Sequence, residues 1–104
     1  MKKVLIICSA GITSMLISKR INQIYNKKDI DITTHFTLGE IFLKKADLAY
    51  DLFILSPQVE HLRDPIGEML AGKDVLYLEV SEYSIGEDKL ARLAKKIEER
   101  IGGR

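Results

Sequence analysis

Cys8 is the only cysteine in the chain, and the residues after it decide what its sulfur can do. Ser9, Ala10, Gly11, Ile12, Thr13 and Ser14 follow before a helical pattern sets in. Small residues let backbone N–H groups turn inward as a nest, and a helix N-terminus adds about half a positive charge. Such a loop is an anion site, with Ser9, Thr13 and Ser14 supplying hydroxyl donors. The same field favours thiolate over thiol and so raises the usable nucleophilicity of Cys8. The plainer alternative is packing, since cysteine is among the most buried residue types. Strand, cysteine, small polar loop and helix in that order favour the reactive thiol.

The positioning elements are legible from hydrophobic pattern. Val4-Leu5-Ile6-Ile7 is a branched aliphatic run, as in a strand buried on both faces of a parallel sheet. Ile17, Ile21 and Ile24 make a helical stripe, with Lys19, Arg20, Asn22 and Gln23 mostly elsewhere, and Asn26-Lys27-Lys28-Asp29 closes that helix. Ile30, Ile32, Thr34 and Phe36 alternate with polar residues and predict a half-exposed edge strand. Thr37-Leu38-Gly39-Glu40 has capping-box spacing and predicts a short helix to about Lys45. Asp51 to Leu55 is a second buried strand, stopped at Ser56-Pro57-Gln58 because proline removes a ladder donor.

Val59, Leu62, Ile66, Met69 and Leu70 form the next stripe, with Pro65 suited to a first helical position and Gly72 as terminator. Val75 to Leu78 is a fourth strand. Ser84-Ile85-Gly86-Glu87 repeats the capping-box spacing ahead of Leu90, Leu93, Ala94, Ile97 and Ile101, and Gly102-Gly103 ends the helix.

Strands separated by helical segments require crossovers. The expected fold class is therefore α/β: a four-stranded open parallel sheet, order 2-1-3-4, with helices on both faces in three layers. Strands 1 and 3 are neighbours at the topological switch point, where ligands bind beyond the carboxyl ends of the strands. That brings Cys8–Ser14 and Ser56–Gln58 together, and makes Gln58 a possible second-loop contact to an anion, or else a solvated helix-start residue.

Length, charge and composition narrow the function. At 104 residues the chain reads as a single domain over 1–104. Sixteen basic against fifteen acidic residues leave +1, too little excess for an electrostatic nucleic-acid binder. The ordinary apolar and charged fractions are those of a folded globular protein. One cysteine and the separated His35 and His61 make no metal site, so no metal and no cofactor is expected. Lys2-Lys3 before a short apolar run superficially matches a signal peptide, but the run is too short for that and far too short to span a bilayer. A cytoplasmic location without membrane insertion is expected. His61 and His35 read as surface residues, and Tyr50, Tyr77 and Tyr83 as core or rim aromatics.

The loop's phosphate chemistry has several candidates. A cysteine phosphatase needs Cys, five residues, then Arg, and counting forward from Cys8 puts Ser14 where the Arg belongs. No obvious Asp general acid stands in the late position either, which leaves Glu82, Glu87 and Asp88 open. No Gly-Lys-Ser/Thr follows for a nucleotide P-loop, and no Gly-x-Gly-x-x-Gly for a dinucleotide. A site that holds phosphocysteine without the means to give it to water is a phosphoryl carrier.

Cys8-Ser9-Ala10-Gly11-Ile12-Thr13-Ser14-Met15-Leu16 resembles the active loop of the IIB components of the sugar phosphotransferase system, in the lactose/cellobiose/diacetylchitobiose class. That family typically carries Cys-Ser-Ala-Gly-Met-Ser-Thr-Ser-Leu there. Ser56-Pro57-Gln58-Val59 resembles its Gly-Pro-Gln-Ile turn, and Pro65 falls near a family proline. Element order and length match over essentially the whole chain. Ile12, Met15 and Ser56 depart from the pattern: Met15 removes a hydroxyl at the helix start, and Ser56 either crowds the loop or replaces a lost donor.

The resemblance implies a topology like that of low-molecular-weight phosphatases. It implies that Cys8 takes a phosphoryl group from a phosphohistidine of a IIA partner and passes it to a sugar, usually a β-linked disaccharide, held by a IIC membrane partner. Ser9, Ala10, Gly11, Ile12, Thr13, Ser14 and Met15 would then bind the phosphate, and the domain would sit at the inner face of the membrane through IIC. Ile12 and Met15, if exposed, would form an apolar docking rim. The alternatives are a small cysteine-dependent hydrolase of the phosphatase or arsenate-reductase kind, and a regulatory IIB-like domain.

Overall fold

In the computed structural model, which describes residues 2–9 and 11–102, the chain alternates strands and helices. The order is β1 (Lys2–Cys8), α1 (Gly11–Lys27), β2 (Ile32–Leu38), α2 (Gly39–Lys44), β3 (Leu52–Leu55), a 3-10 helix (Pro57–Leu62), α3 (Arg63–Met69), β4 (Val75–Tyr77), a 3-10 turn (Val80–Glu82) and α4 (Glu87–Ile101). The sheet is parallel with order β2-β1-β3-β4, as the crossover argument requires. Register pairs Ile7 with Thr37 and with Leu55, and Cys8 with Leu38.

Strand alternation sorts the core into two halves. Val4 and Ile6 of β1, with Leu52 and Ile54 of β3, pack under Ile17, Ile21 and Tyr25 of α1 and Leu90, Leu93 and Ile97 of α4. Leu5, Ile7, Phe53 and Leu55 point the other way, against Phe42 of α2 and Ile66 and Leu70 around α3. Gly39 opens α2 where a Cβ would lie 3.0 Å from Leu62 Cδ1 and 3.2 Å from Val59 Cγ1, so a larger residue there would have to push those two side chains back. Tyr25 spans the two helices of its layer: its buried hydroxyl donates to the Ala94 carbonyl at 2.7 Å.

At β2 the backbone of Thr34 is met by side chains of α1. Its N–H donates to Asn22 Oδ1 at 2.8 Å, and its carbonyl accepts from Asn22 Nδ2 at 3.1 Å and from Ser18 Oγ at 3.0 Å. Thr34 Oγ1 lies 2.7 Å from Ser18 Oγ and 3.0 Å from Asn22 Oδ1.

Several sequence expectations shift. Thr37 caps nothing: β2 runs on to Leu38 because β1 offers ladder partners as far as Cys8, and α2 starts from Leu38 with no side-chain cap. Phe36 is exposed: its register with Ile6 puts it on the α1 face of this edge strand, one step beyond the contacts that Ser18 and Asn22 make with Thr34. Pro65 is the third residue of α3, because the preceding 3-10 helix already supplies a turn at Arg63. Ser84 does not cap α4 from its side chain; its Oγ accepts from Gly86 N, and Gly86 is the N-cap. The capping box of this region belongs to Glu79 and Glu82, around the turn after a β4 that ends at Tyr77. Gly102 caps α4 at a positive φ of 60°, whereas α3 is already capped by Leu70 and Gly72 (φ 82°) lies in the turn two residues beyond; Gly103 lies outside the described residues.

Candidate active site

Cys8 closes β1 at the carboxyl end of the sheet, on the face shared with Val4 and Ile6. It is fully buried. Its thiol faces two acceptors, Ser14 Oγ at 2.7 Å and the Thr37 carbonyl at 3.4 Å. The Ser14 hydroxyl in turn donates to the Gly11 carbonyl at 3.2 Å. On loss of the thiol proton the Ser14 hydroxyl can rotate to donate to sulfur, so this one side chain serves both protonation states.

The helix starts earlier than its apolar stripe suggests. Gly11 is already in α1, which makes Ile12, Thr13, Ser14 and Met15 first-turn residues rather than loop. The first four N–H groups of any α-helix lack intrahelical acceptors, and no acidic residue occupies the first turn of α1 to oppose an anion there. Ser14 is fully buried, Thr13 and Gly11 are half-buried, Ser9 is exposed, and Ile12 and Met15 are exposed at 74% and 46%. Ala10 lies outside the described residues.

The second loop approaches as the switch-point argument expects, but with a different residue innermost. Ser56 N–H donates to the Ile7 carbonyl at 3.0 Å, so the ladder continues one step past β3 with extended backbone. Alternation then puts the Ser56 side chain on the face of Leu52 and Ile54, the face Cys8 also uses. Ser56 is 3% exposed and its Oγ has no protein hydrogen-bond partner. Gln58, two residues on, is exposed in the first turn of the 3-10 helix.

Tyr83, after the last 3-10 turn, completes the cluster and was not singled out as a site residue by sequence reasoning. Its ring packs against the α1/α4 core while its hydroxyl is buried without a protein partner. Burial first, then the charge of a Cys8 thiolate, pushes the Tyr83 phenol up to about 12, and the Ser14 and Ser56 hydroxyls act in the opposite direction. Those groups therefore face one another, although neither Ser56 Oγ nor Tyr83 OH completes a hydrogen bond of regular geometry. The only sequence signal was position: Tyr83 follows the last strand at the same end of the sheet as Cys8.

Other candidates lie elsewhere. His35 is exposed and 2.9 Å from the Tyr50 hydroxyl, and His61 is exposed on the 3-10 helix. The Glu82 carboxylate accepts from Glu79 N at 2.9 Å and pairs with Lys96. The Glu79 bond and then Lys96 hold it below the usual carboxylate range, so it is ionised at neutral pH and unsuited to act as a general acid. Glu87 and Asp88 are exposed in the first turn of α4. Among the described residues there is no group of three His, Cys, Asp or Glu fit to hold a metal ion, and no helix long and apolar enough to cross a membrane.

Residues 3–93 match the family model described as "PTS system, Lactose/Cellobiose specific IIB subunit". The fold is similar to the lactose-specific IIB component domain of the phosphoenolpyruvate:carbohydrate phosphotransferase system from Streptococcus pneumoniae: TM-score 0.77, 20% identity, 95% of this chain and 96% of that one covered. It is also similar to the cellobiose-specific phosphotransferase IIB component from Borrelia burgdorferi, with TM-score 0.68, 21% identity, and 91% and 89% covered. No curated protein matches the sequence.

Proposed function

This chain belongs to the lactose/cellobiose-specific IIB family of the sugar phosphotransferase system, and from that premise we propose that Cys8 is its phosphoryl-carrying residue. A IIB domain is a phosphoryl carrier and a phosphotransferase component that works between IIA and IIC partners. The observation that carries the assignment is Cys8 at the end of β1 beside the first turn of α1, its sulfur against Ser14.

In the first step Cys8 Sγ attacks the phosphorus of a IIA phosphohistidine. The N–P bond breaks, the S–P bond forms, and the thiol proton ends on the imidazole nitrogen. The S-phosphate rests against the α1 first turn, with Gly11, Ile12, Thr13, Ser14 and Met15 offering backbone N–H groups and Gln58 reaching from the second loop; Ser9 and Ala10 are counted with them as phosphate-binding residues. In the second step a sugar hydroxyl held by IIC attacks phosphorus, the S–P bond breaks, and the hydroxyl proton returns to sulfur. A β-linked disaccharide is the proposed acceptor. No metal or nucleotide takes part.

Because Cys8 is fully buried, docking of the donor has to uncover Sγ. Exposed Ile12 and Met15 beside the loop are suited to that contact, an apolar rim that both partners can use in turn. The domain takes in residues 1–104 and works in the cytoplasm, at the membrane through IIC. Hydrolysis by water is disfavoured by Ser14 in place of an arginine clamp and by the engagement of Glu82 with Lys96.

The test is phosphorylation with phosphoenolpyruvate, the general phosphotransferase proteins and a panel of IIA proteins, read by mass spectrometry. One phosphoryl group, about 80 Da, is expected on Cys8 alone. Label on His61 or His35, or sustained turnover of p-nitrophenyl phosphate, overturns the assignment.

A further inference from the structure

The fold satisfies its buried hydroxyls with one local exception. Ser14, Ser18, Thr34 and Tyr25 each have close partners. Ser56 Oγ and Tyr83 OH face each other but complete no hydrogen bond among the described residues, and Tyr83 lies within reach of the Cys8 charge. A buried polar group without a hydrogen bond is costly, so two such groups in one place call for an occupant. They approach from the end of β3 and from the segment between β4 and α4, and meet at Ser14 of the α1 first turn. The phenol of Tyr83, pushed up to about 12, stays protonated at neutral pH and so presents a donor.

We propose that the Ser56 and Tyr83 hydroxyls are phosphate-binding donors that are satisfied only when Cys8 carries a phosphoryl group, and that they draw that group onto this chain. The inference rests on Cys8 being the phosphoryl acceptor. A phosphoryl group on sulfur brings three acceptor oxygens and close to two negative charges. The α1 first turn supplies backbone N–H groups to it, and the two hydroxyls add side-chain donors. No proton changes hands in this contact: each hydroxyl exchanges an unmade hydrogen bond for one to an anion, and hydrogen bonds to charged acceptors are the stronger kind. The resting protein thus holds a locally unfavourable arrangement that phosphorylation relieves, and the transfer equilibrium shifts toward phosphocysteine.

The experiment measures the ratio of phosphocysteine on this chain to phosphohistidine on a IIA protein at equilibrium, by intact mass. The wild type is compared with Ser56→Ala, Ser56→Gly, Tyr83→Phe and the double variant Ser56→Ala/Tyr83→Phe. Thermal unfolding of each is followed with and without phosphorylation. Each single variant is expected to lower the ratio about tenfold and the double variant further. The unphosphorylated variants should melt at or above the wild-type temperature, and the gain in melting temperature on phosphorylation should shrink. An unchanged ratio in Tyr83→Phe and in either Ser56 variant overturns the proposal. So does a fall in ratio matched by equal destabilisation of the unphosphorylated form, which marks a structural role. A wild type that takes no phosphate on Cys8 sinks instead the carrier assignment beneath it.

Discussion

On the α1/α4 face of the sheet, two clusters of buried hydroxyls stand under opposite regimes. At β2, Ser18, Asn22 and Thr34 meet donor for acceptor, and Thr34 has both its backbone groups and its Oγ1 engaged. At the ends of β1 and β3, Ser14 is paired with Cys8 while Ser56 Oγ and Tyr83 OH stand without protein partners. Both places are made of small hydroxylated side chains near one helix, and composition does not tell them apart. What differs is what each has to accommodate. The first joins a helix to an outer strand and is complete in itself; the second is arranged around a sulfur that, under the proposed function, gains and loses a phosphoryl group. A saturated network rigidifies, whereas an unsaturated one beside a nucleophile keeps capacity for a ligand.

The contrast can be broken most severely at its reactive centre. Cys8→Ser should remove all transferable label, read by mass spectrometry, with a fold still intact by circular dichroism. Next in size is Thr34→Val, which keeps the shape but strands Ser18 and Asn22 acceptors. It should cost about 2 kcal/mol in urea unfolding while leaving phosphoryl transfer near the wild-type level. Ser56→Ala is the mirror image: in the unphosphorylated protein it should move stability by less than about 0.5 kcal/mol, because no protein bond is lost.

The smallest effect lies outside both clusters and calibrates them. The folded Glu82 carboxyl titrates below its ordinary value of 4.5, through the Glu79 backbone bond and then Lys96. Its contribution is present above the unfolded value and is lost as pH falls through the folded one. Glu82→Gln should therefore cost only about 0.3 kcal/mol at neutral pH, and that difference should vanish under acid conditions, followed by urea midpoints across pH.

The four strands, their parallel order and the meeting of the two loops were legible because each rests on local pattern plus a crossover rule. Val4 to Ile7 and Leu52 to Leu55 are apolar on both faces, and only a covered parallel strand needs that. Boundaries set by competition were not legible. Thr37 carries a capping signal, yet the partner ladder of β1 held it in the strand. The Glu79–Glu82 box has only a three-residue 3-10 turn behind it, too short for any periodicity to mark. In the site, Cys8 and Ser14 could be read because only five residues separate them and the first turn of α1 carries Ser14. Ser56 could be placed nearby but not assigned a role, since its orientation depends on the ladder running one residue past β3. Tyr83 arrives from the far end of the fold, and no spacing connects it to Cys8.

The Asn22 amide has a consequence beyond holding α1 in place. By binding the outward N–H and carbonyl of Thr34, it occupies the very groups that a foreign strand would need in order to zip onto the sheet. A molecule that must bring its reactive tip up against two different proteins is thereby denied one cheap way of sticking to its own copies side by side.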